Sequence, residues 1–375
     1  MESIVIVGAG HSGGKAAQAL RKHGFAGKIA LVGSEAHPPY DRPPLSKAVL
    51  LGKKPTEACF FKPVQWYEEN GIDLFLGRTV ERIDRPEKLI CLDDGQELRY
   101  GRLLLATGAR PNELRVPGGK LDGVSQLRTT LDAALILPWL SKGRHLIVVG
   151  AGFIGLEVAA AASELGCAVT VLEAAPSALM RSLPERITHL LIDTHKEHGV
   201  DVRFGVHVAS IEGNGKVSAV GLTNREVLPC DAVVYGIGVT PNTALAEEAG
   251  LTVRNGILVG PDLRTTDDDI FACGDACVFW SPLYQREIRL ESWKNAEDQA
   301  DVAARGLMGE SVAYSPVPWF WSNQYDVSLQ VAGMPTLGAN IVERPIGGGR
   351  LFFSLAHNGE LVGVSAPLRH TRCRL

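Results

Sequence analysis

Short apolar runs recur along the chain, each ending in a glycine turn and followed by small residues at helical spacing. SIVIVGAGHSGGKAAQAL near the N-terminus and HLIVVGAGFIGLEVAAAASELG from His145 share this plan. Continuous β-branched runs suit strands of a parallel sheet covered on both faces, and the Ala-rich stretches suit the helices that cover them. A second strand follows each helix, KIALVG in the first copy and AVTVLE in the second. Each unit then closes on a further strand, Leu103 to Ala106 before the Thr107-Gly108 turn and DAVVYG before Gly238. TDDDIFACGDA adds a short strand with a Gly-Asp turn, and LESWKNAEDQADVAARGLMG reads as a helix. From about Ser315 the period changes. VPWFWSNQYDVSLQVAG and IVERPIGGGRLFFSLAHNGELVGVSA read as strands separated by glycine turns, in outline an antiparallel sheet.

The glycines within the two repeats carry the chemistry. Gly8, Gly10 and Gly13 form one G-x-G-x-x-G, and Gly150, Gly152 and Gly155 form the other. The first glycine permits the tight turn, the second lets a pyrophosphate approach the backbone, and the third lets helix and strand pack closely. The phosphates then face the N–H groups and the positive end of the helix. Two copies on one chain predict an α/β protein with two Rossmann-like dinucleotide-binding domains and a small C-terminal α+β domain. We expect the first domain over residues 1–111 and 241–314, the second inserted over 112–240, and the third over 315–375. Glu173 ends the second strand of the second unit with no basic residue before Arg181, which suits a ribose diol and hence NADH rather than NADPH. The remaining dinucleotide site then suggests a flavin, against which a nicotinamide would stack for hydride transfer.

Composition narrows this without redirecting it. The 375 residues carry 38 Lys+Arg against 42 Asp+Glu, a net charge of −4, so nothing favours nucleic-acid binding. No apolar run approaches the ~18 residues of a membrane span, and we expect a cytoplasmic protein. Seven cysteines without a ladder of spacings fit a reducing compartment. Cys273 and Cys277, at C-x3-C spacing, read as buried small apolar residues. No GxSxG, HExxH or metal-ligand pattern is present, and His189, His195 and His198 read as surface histidines of a helix.

Several strings together resemble one family. PPYDRPPLSK from Pro38, LLATGARP, LRTTLDA, VVGAGFIGLEVAA, YGIGVTPN, IFACGDA, ESWKNAEDQA and PWFWSNQYD are similar to the FAD-dependent, NADH-linked ferredoxin reductases of bacterial oxygenase systems, within the glutathione-reductase-like class. The resemblance implies a flavoprotein passing electrons from NADH through FAD to a two-iron ferredoxin or a rubredoxin, and so to an oxygenase. It implies FAD contacts at Gly8, Gly10, Ser12, Gly13, Ser34, Glu35, Arg42, Lys47, Val80, Ala106, Thr107, Gly108, Arg128, Asp275 and Trp293. It implies NADH contacts at Gly150, Gly152, Ile154, Gly155, Glu157, Glu173 and Gly238. Lys47, Glu157, Trp293 and Trp321 are the residues it places nearest the reaction, with Trp319 and Trp321 sharing one strand face.

Departures from the family pattern stand out at three places. Ser34 precedes Glu35 where relatives carry a ribose-binding acid, Asn323 replaces an Asp, and PLRHTRCRL closes a C-terminal domain that reads as shortened. Arg344, Arg350, Arg369, Arg372 and Arg374 against Glu343 and Glu360 give that end a basic rim that could steer an acidic partner. A thiol or peroxide reductase, or a redox-signalling flavoprotein of the same fold, is the competing reading, although positions 38–47 lack the cysteine a thiol reductase needs.

Overall fold

Each apolar-run motif becomes the central strand of a five-stranded parallel sheet. These sheets lie in separate compact units of the computed structural model, which describes residues 3–369. The first unit comprises residues 1–41, 59–110 and 240–318, and the second comprises 42–58, 111–239 and 319–375.

In the first unit the sheet order is Ile270–Ala272, Arg102–Leu105, Ser3–Val7, Lys28–Gly33, Ile72–Leu76. Every neighbouring pair is parallel, with Val7 opposite both Val32 and Leu105. Ile4, Ile6, Ile29, Leu31, Leu103 and Leu104 are buried, as the continuous apolar runs require for a sheet covered on both faces. The helix His11–Lys22 leaves the first strand with Ala16, Ala17 and Leu20 buried, and the helix Trp293–Leu307 buries Ala300, Ala303, Ala304 and Leu307. The unit also holds a small antiparallel sheet over Val80–Asp84, Leu89–Leu92 and Glu97–Arg99, and a mixed one in which Cys277–Ser281 pairs in parallel with Ile257–Val259 and antiparallel with Arg286–Ile288.

The second unit repeats the plan in the order Asp201–Phe204, Ala168–Glu173, His145–Val149, Ala232–Tyr235, Val124–Gln126, again all parallel. Here the helix after the glycine turn, Phe153–Glu164, buries an unbroken run from Gly155 to Ala162 and is therefore covered on every side, with Glu157 as the one charged residue of that run. The same unit holds the five-stranded antiparallel sheet of the chain end, ordered Trp319–Gln324, Val327–Gly333, Leu361–Arg369, Gly349–Leu355, Asn340–Ile346. Its described residues carry strands and one 3-10 turn, Pro335–Leu337. Residues 42–58 add a single π-helical turn, Leu45–Val49, opened by Pro43 and Pro44. Such turns are rare and concentrate at functional sites.

Among the described residues no helix is long and apolar enough to cross a membrane, and no group of His, Cys, Asp and Glu side chains could hold a metal ion.

Candidate functional site

The first glycine turn is built so tightly that only glycine fits. Gly8 has φ +111°, and a methyl group there would lie 2.1 Å from the Ala106 carbonyl oxygen. At Gly13 the same methyl would lie 1.8 Å from the Gly8 carbonyl oxygen. Gly10 caps the helix His11–Lys22 with no side-chain hydrogen bond, and the first turn holds no acid, so its N–H groups stay available to an anion. Ser12 is buried beneath the Gly-Asp turn: a methyl at Gly274, φ +76°, would lie 2.4 Å from its Oγ. That turn presents Asp275 and is held by the Gly274 N–H donating to Gln299 Oε1 at 2.7 Å.

Around this turn the other expected flavin contacts of the first unit take up definite places. Ser34 is exposed, whereas Glu35 is half-buried and accepts from the Tyr40 hydroxyl at 2.6 Å. Thr107 Oγ donates to the Asn242 carbonyl at 2.7 Å, and Asn242 in turn donates to the Thr107 carbonyl, fixing the exit at Gly108. Val80 opens the strand Val80–Asp84. Trp293 donates its indole N–H to Asp41 Oδ1 at 2.8 Å, and its ring meets His11 edge-on at 5.1 Å between centroids. Lys15 lies over Phe61 and Trp293 and pairs with Glu297 at 2.8 Å.

The second turn repeats this geometry within the second unit. Gly150 has φ +103°, and a methyl there would meet the Gly236 carbonyl oxygen at 2.4 Å. At Gly155 it would meet the Gly150 carbonyl oxygen at 2.1 Å. Gly152 differs: its nearest neighbour would be 3.9 Å away, so the space above the helix N-terminus is open on the side a phosphate would occupy. The Glu173 carboxylate accepts from the Ala151 N–H at 2.6 Å and from the Ala175 N–H at 2.8 Å, which seats it at the lip of the turn. Ile154 is 44 % exposed on the first turn of the helix. Arg181, named in the sequence only as the first basic residue after Glu173, comes to the exit of this turn: its guanidinium would lie 3.1 Å from a methyl at Gly238. Both cradles therefore fit a dinucleotide: close backbone packing, free helix N–H groups, and an acid after the second strand.

The carboxylate of Glu157 is the polar centre of the second unit. It is 4 % exposed on the helix Phe153–Glu164 and accepts from three side chains. Lys47 Nζ donates at 2.7 Å and Ser46 Oγ at 2.5 Å, both to Oε2, and Ser322 Oγ donates to Oε1 at 2.6 Å. The π-helical turn brings Ser46 and Lys47 to one side of this carboxylate, and strand alternation over Trp319–Gln324 supplies Ser322 from the other. Alternation also leaves Trp319 and Trp321 on the opposite, half-buried face, stacked at 5.2 Å with 25° between planes. Arg42 donates to the Arg128 carbonyl at 2.6 Å, and Arg128 precedes a helix capped reciprocally by Thr129 and Asp132.

The structure corrects the reading of the histidines. His189 is exposed as expected, but His195 is fully buried, with its Nε2 2.8 Å from Gln324 Oε1. Burial pushes its pKa down to about 4. A helical face that also carries Ile187, Leu191 and Ile192 inward explains the difference. Ser46, Ser322 and Gln324 were missed as well, because serine and glutamine carry no motif of their own; for Ser322 and Gln324 the two-residue alternation with the tryptophans was the available signal.

Five of the six described cysteines are buried and Cys91 is half-buried. None of the six cysteines among the described residues forms a disulfide, and Cys373 lies outside them. Cys273 and Cys277 are fully buried, and burial raises both, Cys277 to about 12, so neither supplies thiolate at neutral pH. The basic rim is partly spent on local pairs: Arg350 meets Glu343 at 2.6 Å and Arg369 meets Glu197 at 3.2 Å. Arg372 and Arg374 lie outside the described residues.

Residues 2–300 match the family described as pyridine nucleotide-disulphide oxidoreductase, and residues 319–370 match the reductase C-terminal family. The chain is 45 % identical over 339 residues to rhodocoxin reductase of Rhodococcus erythropolis, covering 90 % of this chain and 79 % of that protein. It is 41 % identical over 370 residues to the ferredoxin–NAD(+) reductase component of the anthranilate 1,2-dioxygenase system of Burkholderia cepacia, covering 97 % and 90 %. Among solved structures it resembles the covalent putidaredoxin reductase–putidaredoxin complex, with a TM-score of 0.94 at 38 % identity, covering 98 % of this chain and 89 % of the other.

Proposed function

The chain belongs to the pyridine nucleotide-disulphide oxidoreductase family, and from that premise we propose that it is a reductase delivering electrons from NADH through FAD to a two-iron ferredoxin that feeds an oxygenase. The burial of the Cys273–Cys277 pair carries this reading. A thiol or peroxide reductase of this fold needs a reactive cysteine, and the Cys273–Cys277 pair is fully buried and raised. Electrons that do not pass to a thiol need another exit, for which the half-buried stack of Trp319 and Trp321 is the candidate. FAD, when bound, takes up two electrons as hydride and can release them singly, as an iron–sulfur acceptor requires.

The protein's part is binding and positioning. We assign Gly8, Gly10, Ser12, Gly13, Glu35, Asp275 and Trp293 to FAD, and the family resemblance adds Arg42 and Lys47. Gly150, Gly152, Gly155, Glu173 and Gly238 would hold NADH, the helix N–H groups facing its pyrophosphate and Glu173 its adenosine ribose. Glu157 holds the Lys47 ammonium at 2.7 Å, and a positive charge fixed in this way stabilises negative charge that develops beside it. We place this chemistry in the cytoplasm, whose reducing milieu suits seven cysteines with no ladder of spacings.

Purified protein that is yellow, and that with NADH reduces a two-iron ferredoxin faster than a rubredoxin while leaving disulfides and peroxide untouched, is the expected result. Reduction of a disulfide, with new titratable thiols after NADH, would refute the reading.

A further inference from the structure

A hydrogen-bonded chain runs from the Glu157 carboxylate into the interior of the second unit, and its residue types give it one direction. Ser322 Oγ donates to Glu157 Oε1 at 2.6 Å, and Gln324 Nε2 donates to Ser322 Oγ at 3.1 Å. That leaves Gln324 Oε1, which can only accept, facing His195 Nε2 at 2.8 Å, so the imidazole proton lies on Nε2. His195 Nδ1 is then an acceptor, and the Tyr325 hydroxyl donates to it at 3.3 Å. Tyr325 is itself clamped, stacked on His198 at 3.7 Å with 13° between planes. Every donor from Tyr325 to Ser322 therefore points toward the carboxylate. Glu157, His195, Ser322 and Gln324 are each at most 4 % exposed, so water does not compete for these bonds.

We propose that His195 and Gln324 are positioning residues that act through Ser322 to fix the Glu157 carboxylate, and with it the Lys47 ammonium. This rests on the reading above, in which Lys47 and Glu157 serve the flavin and nicotinamide. Removing a donor from the chain frees Ser322 to rotate, and Oε1 of a buried carboxylate loses its partner. The carboxylate then turns, and Lys47, bound to Oε2 of the same group, moves with it. His195 thus works as a neutral donor of fixed tautomer, from a helix that carries no glycine turn and no expected cofactor contact.

The test uses FAD-loaded protein in anaerobic stopped flow with NADH. Gln324→Leu and His195→Phe are each expected to lower the limiting rate of flavin reduction about tenfold while NADH affinity stays within about twofold, because a misplaced group weakens the step more than the binding. His195→Gln, whose amide puts an N–H near the place of Nε2, is expected to recover most of the rate. In protein carrying 15N-histidine, the His195 Nε2–H resonance is expected to shift in Ser322→Ala, two bonds of the chain away, which a merely structural role would not produce. Limiting rates within about twofold of the parent in Gln324→Leu and Ser322→Ala, with Glu157→Gln slow, overturn the positioning role. A Glu157→Gln protein as fast as the parent overturns the reading of the Lys47–Glu157 pair itself, and this inference with it.

Discussion

The two glycine turns are nearly the same object, yet they are anchored differently. Both reject a methyl at the first and third glycines, and both leave a helix N-terminus uncapped by side chains. The acid after the second strand separates them. Glu173 binds two backbone N–H groups, one of them in the turn, whereas Glu35 is held by the Tyr40 phenol. The helices diverge further on. The first helix starts with His11, beside Asp41 and Trp293, and the second carries Glu157 into a buried polar chain. The lesson is that one glycine turn can be anchored in two ways, so what distinguishes the two units lies in the contacts made after the turn.

Breaking the turns themselves should have the largest effect. Gly13→Ala puts a methyl into the Gly8 carbonyl and should destabilise the protein by about 3 kcal/mol with loss of bound FAD, measured by urea unfolding and by flavin absorbance. Gly152→Ala separates binding from folding: with its nearest neighbour 3.9 Å away, stability should hold within about 0.5 kcal/mol. Its affinity for NADH, by titration of flavin absorbance or calorimetry, should nonetheless fall about tenfold because the methyl occupies the side a pyrophosphate approaches.

The histidine at the far end of the polar chain gives a pH-dependent test of the second unit. His195, with His198 beside it, has a pKa near 4 when folded against 6.5 in an exposed chain. The unfolded state therefore binds the proton first as pH falls, and the stability contribution of the neutral imidazole is full above about pH 6.5 and lost towards pH 4. Lowering the pH from about 6.5 to about 5 should cost the parent about 2 kcal/mol more than His195→Gln in urea unfolding. Equal slopes would show that His195 is not buried in solution.

Coenzyme choice is expected to respond least. Glu173→Ala with Ala174→Arg should move the NADH-to-NADPH preference about tenfold toward NADPH, measured as the ratio of kcat/KM values. A similar loss for both coenzymes would mean that Glu173 matters for holding the turn through Ala151 rather than for reading the ribose.

Period and glycine spacing made the two parallel sheets legible before any coordinates, since a strand buried on both faces must be apolar throughout and a helix packed on a strand at Gly13 or Gly155 admits no side chain. The antiparallel end was legible for the same kind of reason, and Trp319 and Trp321 could be put on one face by counting twos. Lys47 and Glu157 were singled out by resemblance, but nothing in the spacing of residues 47, 157 and 322 shows that they converge. That convergence belongs to the tertiary structure. A π-helical turn, the buried face of a helix and the inner face of a distant strand meet at one carboxylate, and only their packing excludes the water that would otherwise satisfy it. His195 makes the same point in reverse: one turn from His198 and alike in sequence, it became interior because the helical face it shares with Leu191 and Ile192 is the one the fold covers.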